Sequence, residues 1–486
     1  MRKACIPAAA LMLLLLSGCM VGPNYKTPPA IVAPAFKEKP PASFAEEDGW
    51  KPAQPGDTKL KGNWWTMFDD AQLNALEAQV DTANQTLKAA EANFRAARAQ
   101  IGYARSYEAP TIDIGASAST VRESANQPYF SSALANNGSG NFILPVDLNY
   151  EIDLWGRIRR SVTSAREQAQ ASAADLASAR LSLHAELAMD YFGLRTADAQ
   201  IRLLDDTVKA YQQALQLTED RFEGGAAPES DVAQARTQLE QAQVQRTDLD
   251  VQRTQYEHAI AVLVGKPPAE LTLRPDPLNQ EPPVLPRVPG VVPAALLERR
   301  PDIAGDERRM ASANEQIGIA EAAYYPTLSL SATAGLQGTS VLNWFTWPSR
   351  FWAVGPAFSE TLFDAGRRRS QKEMTEAQYD STVANYRQTV LTAFQQVEDN
   401  LAALRVLETE AGQQHQATAS AEQSLDLFET RYEGGVDTYL QVVTWQTAAL
   451  NNQRNDLDIM QRRLDASVLL IKALGGGWDT TQLPHL

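Results

Sequence analysis

Cysteine is nearly missing from this sequence. Two residues in 486, Cys5 and Cys19, cannot build a disulfide framework or a cysteine-rich zinc site. Histidine is scarce too. His184, His258, His415 and His485 lie far apart, give no ligand spacing, and read as ordinary helix or tail residues. Positive charge is in deficit, with 44 Lys and Arg against 59 Asp and Glu and a net charge of −15. Nucleic acids and anionic membrane surfaces call for a basic footprint, so neither is the main partner. Beyond the first 19 residues no apolar run reaches the roughly 20 residues of a transmembrane helix. His-Glu-x-x-His, Gly-x-Ser-x-Gly and Gly-x-x-x-x-Gly-Lys-Ser/Thr are absent, so the chain reads as a non-enzyme without a cofactor. Aromatics make up only 8%, and the hydrophobic share of 44% is carried largely by alanine. That composition suits long, thin, Ala-packed helices better than one thick core.

The N-terminus is an address. Arg2 and Lys3 precede an apolar stretch from Ala8 to Leu16, which predicts a signal peptide over 1–18. Leu16-Ser17-Gly18-Cys19 resembles a bacterial lipobox, in which the cysteine becomes the first mature residue and carries acyl chains such as palmitate. Met20 rather than Asp follows Cys19, which directs the mature protein to the outer membrane. The covalent lipid on Cys19 is the one non-protein group expected.

The rest of the chain is a duplication. Arg221-Phe222-Glu223-Gly224-Gly225 recurs 210 residues later as Arg431-Tyr432-Glu433-Gly434-Gly435. Gly156-Arg157 and Gly366-Arg367, Leu194-Arg195 and Leu404-Arg405, and Gly265 and Gly475 repeat at the same offset. Upstream the offset is 216, where Gln100-Ile101-Gly102 matches Gln316-Ile317-Gly318 and Pro110-Thr111 matches Pro326-Thr327. One loop insertion accounts for the slip. The expected organisation is an extended N-terminal segment 19–66, a first repeat 67–265, a Pro-rich linker 266–293, a second repeat 294–475 and a tail 476–486.

Each repeat holds two stretches of period-2 alternation, expected as strands over about 110–121 and 142–154, then 326–336 and, more weakly, 351–363. At about ten residues they are long enough to cross a bilayer as barrel strands. A Gly/Asn/Ser-rich loop at 131–141 joins the first pair. The second joining region carries Trp344, Phe345, Trp347, Phe351 and Trp352, suited to an interfacial aromatic girdle. A soluble two-hairpin sheet gives the same alternation.

The helical seams are long. Leu73, Leu76, Val80, Ala83, Leu87, Ala90, Phe94, Ala97 and Ile101 follow 3,4 spacing, as do Ile201, Leu204, Val208, Tyr211, Leu215, Thr218 and Phe222. The stretch 157–223 contains no proline and one glycine, Gly193. As one helix at about 1.5 Å per residue it is roughly 100 Å long. Such helices must pack side by side, and Gly224-Gly225 and Gly434-Gly435 end them as C-cap glycines at hairpin tips. Four membrane strands leave open edges, which lipid does not tolerate. Two copies would close eight strands around a filled interior, three copies twelve around a lumen. Small residues such as Gly115, Ser117, Ser329 and Ser331 favour the open version.

Several motifs together resemble a known family. Cys19-Met20-Val21-Gly22-Pro23-Asn24-Tyr25 looks like the mature start of outer-membrane efflux lipoproteins. Trp64-Trp65 with Phe68-Asp69-Asp70, Leu297-Glu298-Arg299-Arg300-Pro301-Asp302-Ile303, and Leu362-Phe363-Asp364-Ala365-Gly366-Arg367 are similar to other segments of that family. The family is the TolC-like outer membrane factors, in their lipoprotein branch. The resemblance implies an α+β membrane protein: a homotrimer with a twelve-stranded β-barrel, four strands per chain, above a long periplasmic α-helical barrel. It implies docking to a periplasmic adaptor and an inner-membrane pump of the resistance-nodulation-division type, with small molecules such as drugs as cargo. A duct for type I protein export and a coiled-coil surface lipoprotein are the alternatives.

In that family the periplasmic tips close like an iris. Here the tips are 222–232 and 432–445, with Asp231 and Asp437 as candidates for lumen rings supplied three times. Helix N-capping explains the same aspartates without a gate. Tyr432 resembles the family tyrosine that ties neighbouring hairpins together. Protein-export relatives carry two aspartates three residues apart where this chain has Gln441 and Thr444, and their tip arginine is missing, so their latch is not carried over. Gly224, Gly225, Gly434 and Gly435 are the expected adaptor contacts, since bare backbone allows close approach. Arg157 and Arg367–Arg369 read as a solvated charge run or an anchor at the membrane's periplasmic side.

Overall fold

The computed structural model describes residues 20–41, 62–122, 124, 126, 138–276 and 296–486. The leader, Cys19, most of the 131–141 loop and nearly all of the Pro-rich stretch 276–293 lie outside the described residues.

Two helices, α1 (Ala71–Ala83) and α2 (Gln85–Ser106), occupy the first seam. The sequence spacing predicts one continuous helix through 73–101, but the structure breaks it at Asn84. Buried Asn84 is extended, its Oδ1 accepts from the Leu87 amide, and its Nδ2 donates to the Leu263 carbonyl at 2.8 Å. Gly265 presses on the same point, where a Cβ would lie 2.4 Å from the Ala83 carbonyl oxygen. Tertiary packing therefore overrides the local seam.

The strands are β1 (Thr111–Ile114), β2 (Ser117–Val121), β3 (Ser139–Ile152), β4 (Thr327–Gly338) and β5 (Arg350–Ser359). β1 and β2 keep one register along β3 and so form one interrupted strand. The interruption has a cause. Gly115 faces Pro145, donates to its carbonyl at 3.1 Å, and gets no bond back because proline has no N–H. β5 stops at Ser359, short of the expected 363, and leaves Leu362 and Phe363 exposed. All pairings are antiparallel, in the order β1/β2, β3, β4, β5.

The long helices are α3 (Arg157–Glu223), α4 (Glu229–Leu263), α5 (Pro301–Ala322), α6 (Arg367–Glu433) and α7 (Tyr439–Ala473). The duplication shows in their lengths. α2 and α5 have 22 residues, α3 and α6 have 67, and α4 and α7 have 35. α3 pairs with α4 and α6 with α7 as hairpins, while α5 lies between α3 and α6 and α7 packs on both α3 and α4. The largest apolar cluster sits at the waist of α3, where Trp64, Trp65 and Phe68 meet Tyr191, Phe192 and Leu194, and Leu464, Val468 and Ile471 close it from α7.

Residues 20–41 run as a strap without helix or strand. Buried Arg160 donates from Nε to the Val21 carbonyl at 2.7 Å and from Nη1 to Glu315 at 2.8 Å. Further down, the Glu398 carboxylate accepts the backbone amides of Lys37 and Glu38 at 2.6 and 2.8 Å. The strap's first described residue, Met20, lies against Gly156 at the start of α3.

Candidate functional site at the hairpin tips

Both hairpins turn through the same cap. Gly225 and Gly435 hold φ of +75° and +70°. Gly225 donates to Phe222 and Ala226 to Arg221, and Gly435 donates to Tyr432 and Val436 to Arg431, the two-bond Schellman pattern. Nothing lies within 4 Å of where a Cβ would stand on either glycine, so backbone conformation alone requires them. Gly224 and Gly434 keep ordinary helical φ at the C-cap.

The two tips touch within one chain. Arg221, in the last turn of α3, donates from Nη1 to the Tyr432 carbonyl at 2.7 Å and from Nη2 to the Glu433 carbonyl at 2.6 Å. Those are end carbonyls of α6, where the helix dipole favours a cation. The guanidinium also lies 4.5 Å from the centre of the Tyr432 ring. Tyr432 is buried against Tyr439, ring centres 5.2 Å apart, in a cluster with Ala235, Val442, Leu215 and Val443. Burial raises the Tyr439 phenol well above its usual range, helped by Tyr432, Tyr211, Glu429 and Asp231. Burial likewise pushes Tyr211 up to about 12 and raises Glu429.

At the opposite end the sheet has two unlike faces. Ile112, Leu148, Ala332 and Val354 form one cross-strand row and Ile114, Val146, Ala334 and Trp352 the next. The reverse face carries Asp113, Asp147, Thr333 and Ala353, then Thr111, Asn149, Ser331 and Gly355. Trp347, Phe345 and Trp352 are exposed, while Trp344 packs on Phe142. Among the described residues, β1/β2 and β5 each have one unpaired edge. Among the described residues no helix is long and apolar enough to cross a membrane.

A sheet with one apolar face, joined to paired helices of this length, matches known proteins throughout. The family described as "Outer membrane efflux protein" matches residues 71–266 and 292–476. The chain belongs to that family. The toluene efflux pump outer membrane protein TtgF of Pseudomonas putida is 32% identical over 96% of this chain and 95% of its own. Outer membrane protein OprJ of Pseudomonas aeruginosa is 31% identical over 99% and 97%. A solved outer-membrane channel, OprN, superposes with a TM-score of 0.85 at 29% identity, covering 95% of this chain and all of that one. The Campylobacter jejuni CmeC channel shares the fold, with a TM-score of 0.86 at 24% identity. This outer membrane efflux protein is thus an outer-membrane channel with a large periplasmic part and not an enzyme.

In this efflux protein the expected tip residues fall close together but do different jobs. Neither aspartate caps a helix through its side chain. Asp231 stands in the first turn of α4 behind Pro228, and Asp437 precedes Thr438 at the start of α7. Asp437 accepts from Arg431 Nε at 2.9 Å. Tyr432 is held by Arg221 of its own chain. The junction arginines are engaged rather than merely solvated: Arg157 binds Glu151 through two nitrogens, at 2.9 and 2.6 Å, and Arg368 binds Asp364 at 2.7 Å.

Sequence reasoning used Arg221 and Arg431 only as markers of the repeat. Their recurrence beside a glycine pair was the available signal for a role. It also treated His184 as ordinary, whereas His184 is buried, stacks on Trp65 at 4.2 Å, and reaches Glu77 at 2.5 Å and Asp81 at 3.1 Å. Burial pushes Glu77 up to about 7, against the pull of His184. Asp190 and Asp465, on α3 and α7, are raised to about 6 and about 7, chiefly by burial, with Glu186 adding at Asp190 and Asp190 at Asp465. Among the described residues no group of three or more ligand side chains could hold a metal ion.

Proposed function

We propose that three copies of this chain form the exit duct of a tripartite efflux system. Each copy supplies its strands to a twelve-stranded barrel in the outer membrane and two hairpins to a periplasmic helical barrel. The two open edges of a sheet with one apolar face carry this reading, because lipid does not accept an unpaired edge. Small and polar residues on the reverse face, such as Ser329, Ser331 and Gly355, suit a water-filled interior. A periplasmic adaptor meets the tips around Gly224, Gly225, Gly434 and Gly435, and an inner-membrane pump of the resistance-nodulation-division type drives small molecules into the duct. The relatives' names, a toluene efflux pump among them, favour small apolar compounds. Asp231 and Asp437 ring the closed end, and a lipid on Cys19 adds an anchor beside the barrel, next to Met20 at the start of α3.

Native mass of the detergent-extracted protein from separated membranes tests the assembly. The expected result is a trimer in the outer-membrane fraction. A monomer released without detergent overturns the duct.

A further inference from the structure

A buried charged cluster at the waist of α3 plays no part in the duct. His184 is 2% exposed, and Glu77, on α1, is 0% exposed. The imidazole Nδ1 lies 2.5 Å from Glu77 Oε2 and its Nε2 lies 3.1 Å from Asp81 Oδ1. Arg180, one turn earlier on α3, donates to the other Asp81 oxygen at 2.7 Å. Ionised carboxylates only accept, and a neutral imidazole carries one N–H. Two ring nitrogens on two carboxylates therefore need one proton more than a neutral histidine supplies. Whether it sits on Nδ1 or on Glu77, the pair shares it across a short contact. Without it the Glu77 carboxylate faces a bare nitrogen lone pair. Its other oxygen, Oε1, is buried with no partner among the described residues, as is Oδ1 of Asn74 one turn back. An anion there has nothing to offset its lost hydration.

The second repeat makes the same joint without ions. At the offsets of 210 and 216, Arg180, His184 and Asp81 correspond to Val390, Phe394 and Leu297. Those three pack in one apolar cluster with Ile303 and Tyr386. Helix packing alone therefore does not call for the charges in the first repeat. The charges that reach Glu77 come from His184 and Asp81. Around the adjoining cavity, α3 adds Arg180 and α2 adds Glu91, while the turn Trp64–Phe68 and the C-terminal tail present Trp64, Trp65, Trp478 and Gln482. On α7, Lys472 acts with Arg300, Glu186 and Asp302, and Asp465 with Asp190.

We propose that Glu77 and His184 form a proton-binding site, whose one shared proton fastens α1 and the Trp64–Phe68 turn to α3 at the waist of the channel. With the proton bound, the charges cancel: two carboxylates face an imidazolium and a guanidinium. Proton loss leaves one uncompensated negative charge buried at the joint. The fastening is therefore complete at neutral pH and weakens as pH rises. Burial, which raises Glu77, acts with the same sign. The pair titrates as one unit, so a single midpoint belongs to both residues. The site lies within one chain and holds whatever the number of copies.

Hydrogen exchange of the full-length protein in detergent tests the site, read by mass spectrometry on peptides covering 71–83 and corrected for the intrinsic pH dependence of exchange. The α1 amides should exchange about tenfold faster at about pH 9 than at about pH 6, the equivalent of one pH unit of proton affinity at the joint. Peptides from α7 in the same digest report Asp465 separately. Glu77→Gln should hold the low-pH protection of α1 at both values, because its amide donates to Nδ1 as the protonated carboxyl does and has no proton to lose. Asp81→Asn should move the midpoint down by about one unit, since a carboxylate beside the ring favours the proton. A histidine that only fills space predicts no such movement. Flat α1 protection in the unmodified protein overturns the proposal, as does a Glu77→Gln protein that keeps the full pH dependence. If Glu77→Gln does not fold, Asp81→Asn decides, and an unmoved midpoint overturns the site.

Discussion

Asp190 and Asp465 show what a single residue contributes out of sight of sequence patterns. Their repeat equivalents are Asn400 and Gln255, so the duplication carries no trace of an acidic pair. Burial raises Asp465 to about 7 and Asp190 to about 6, far above the unfolded carboxylate near 3.9. For a group raised in this way, its contribution to stability is complete below about pH 4 and is lost as pH climbs through about 7. The protein should therefore unfold several degrees lower at pH 8 than at pH 5, followed by helical circular dichroism. Asp465→Asn, which stays neutral throughout, should remove the share that Asp465 carries and leave those of Asp190 and Glu77, which are raised as well. An unchanged pH profile in Asp465→Asn would show that the carboxylate is charged in the fold. The residue scale is also where the packing of His184 is illegible in sequence, because its partners Glu77 and Asp81 stand about a hundred positions away on another helix. By contrast Gly225 and Gly435 were legible, because a positive φ after a helix is a local demand that glycine meets by itself.

Among the elements, legibility followed locality. The ends of α3 fall at 157 and 223 as the absence of proline and the Gly-Gly pair require. The break at Asn84 was invisible, because its cause is Gly265, which arrives from the far end of the first repeat. The split between β1 and β2 needed the register that sets Gly115 opposite Pro145. The strap belongs to this class. At Gly22 a Cβ would lie 2.5 Å from the Gly318 Cα, and at Gly318 a Cβ would lie 2.3 Å from Arg160 Nε. Three segments distant in sequence thus cross at one point, and only glycine at two of them lets Arg160 reach the Val21 carbonyl. Gly318→Ala should push Arg160 out of place and cost about 1–3 kcal/mol, as overpacking of a filled site does. Limited proteolysis checks it, with cleavage expected within 20–41 in the variant and not in the parent. Equal protection of both proteins would show that the crossing does not hold the strap.

At the scale of the whole molecule, the reading as a membrane duct turns on which face of the sheet meets lipid. One chain leaves both faces of β5 bare, with Trp352, Val354 and Phe358 on one side and Ala353, Gly355 and Ala357 on the other. The alternation is plain in the sequence, and closure by copies rests, in the sequence as in the structure, on the unsatisfied edges of one chain. Two neighbouring substitutions separate the faces. Val354→Arg puts a guanidinium into hydrocarbon at about 2–4 kcal/mol per chain near the bilayer midplane, and a trimer bears that cost three times over. Trimer recovered from the outer-membrane fraction should fall sharply. In the proposed duct Gly355→Arg, one residue away, points into the lumen instead, and nothing lies within 4 Å of its new Cβ. That variant should assemble in normal amount and lose conductance, since three guanidinium groups narrow the lumen and repel cations. If both variants assemble equally well, the apolar face does not meet lipid. If Gly355→Arg blocks assembly and Val354→Arg does not, the sheet is inserted with the opposite face outward and the lumen assignment reverses.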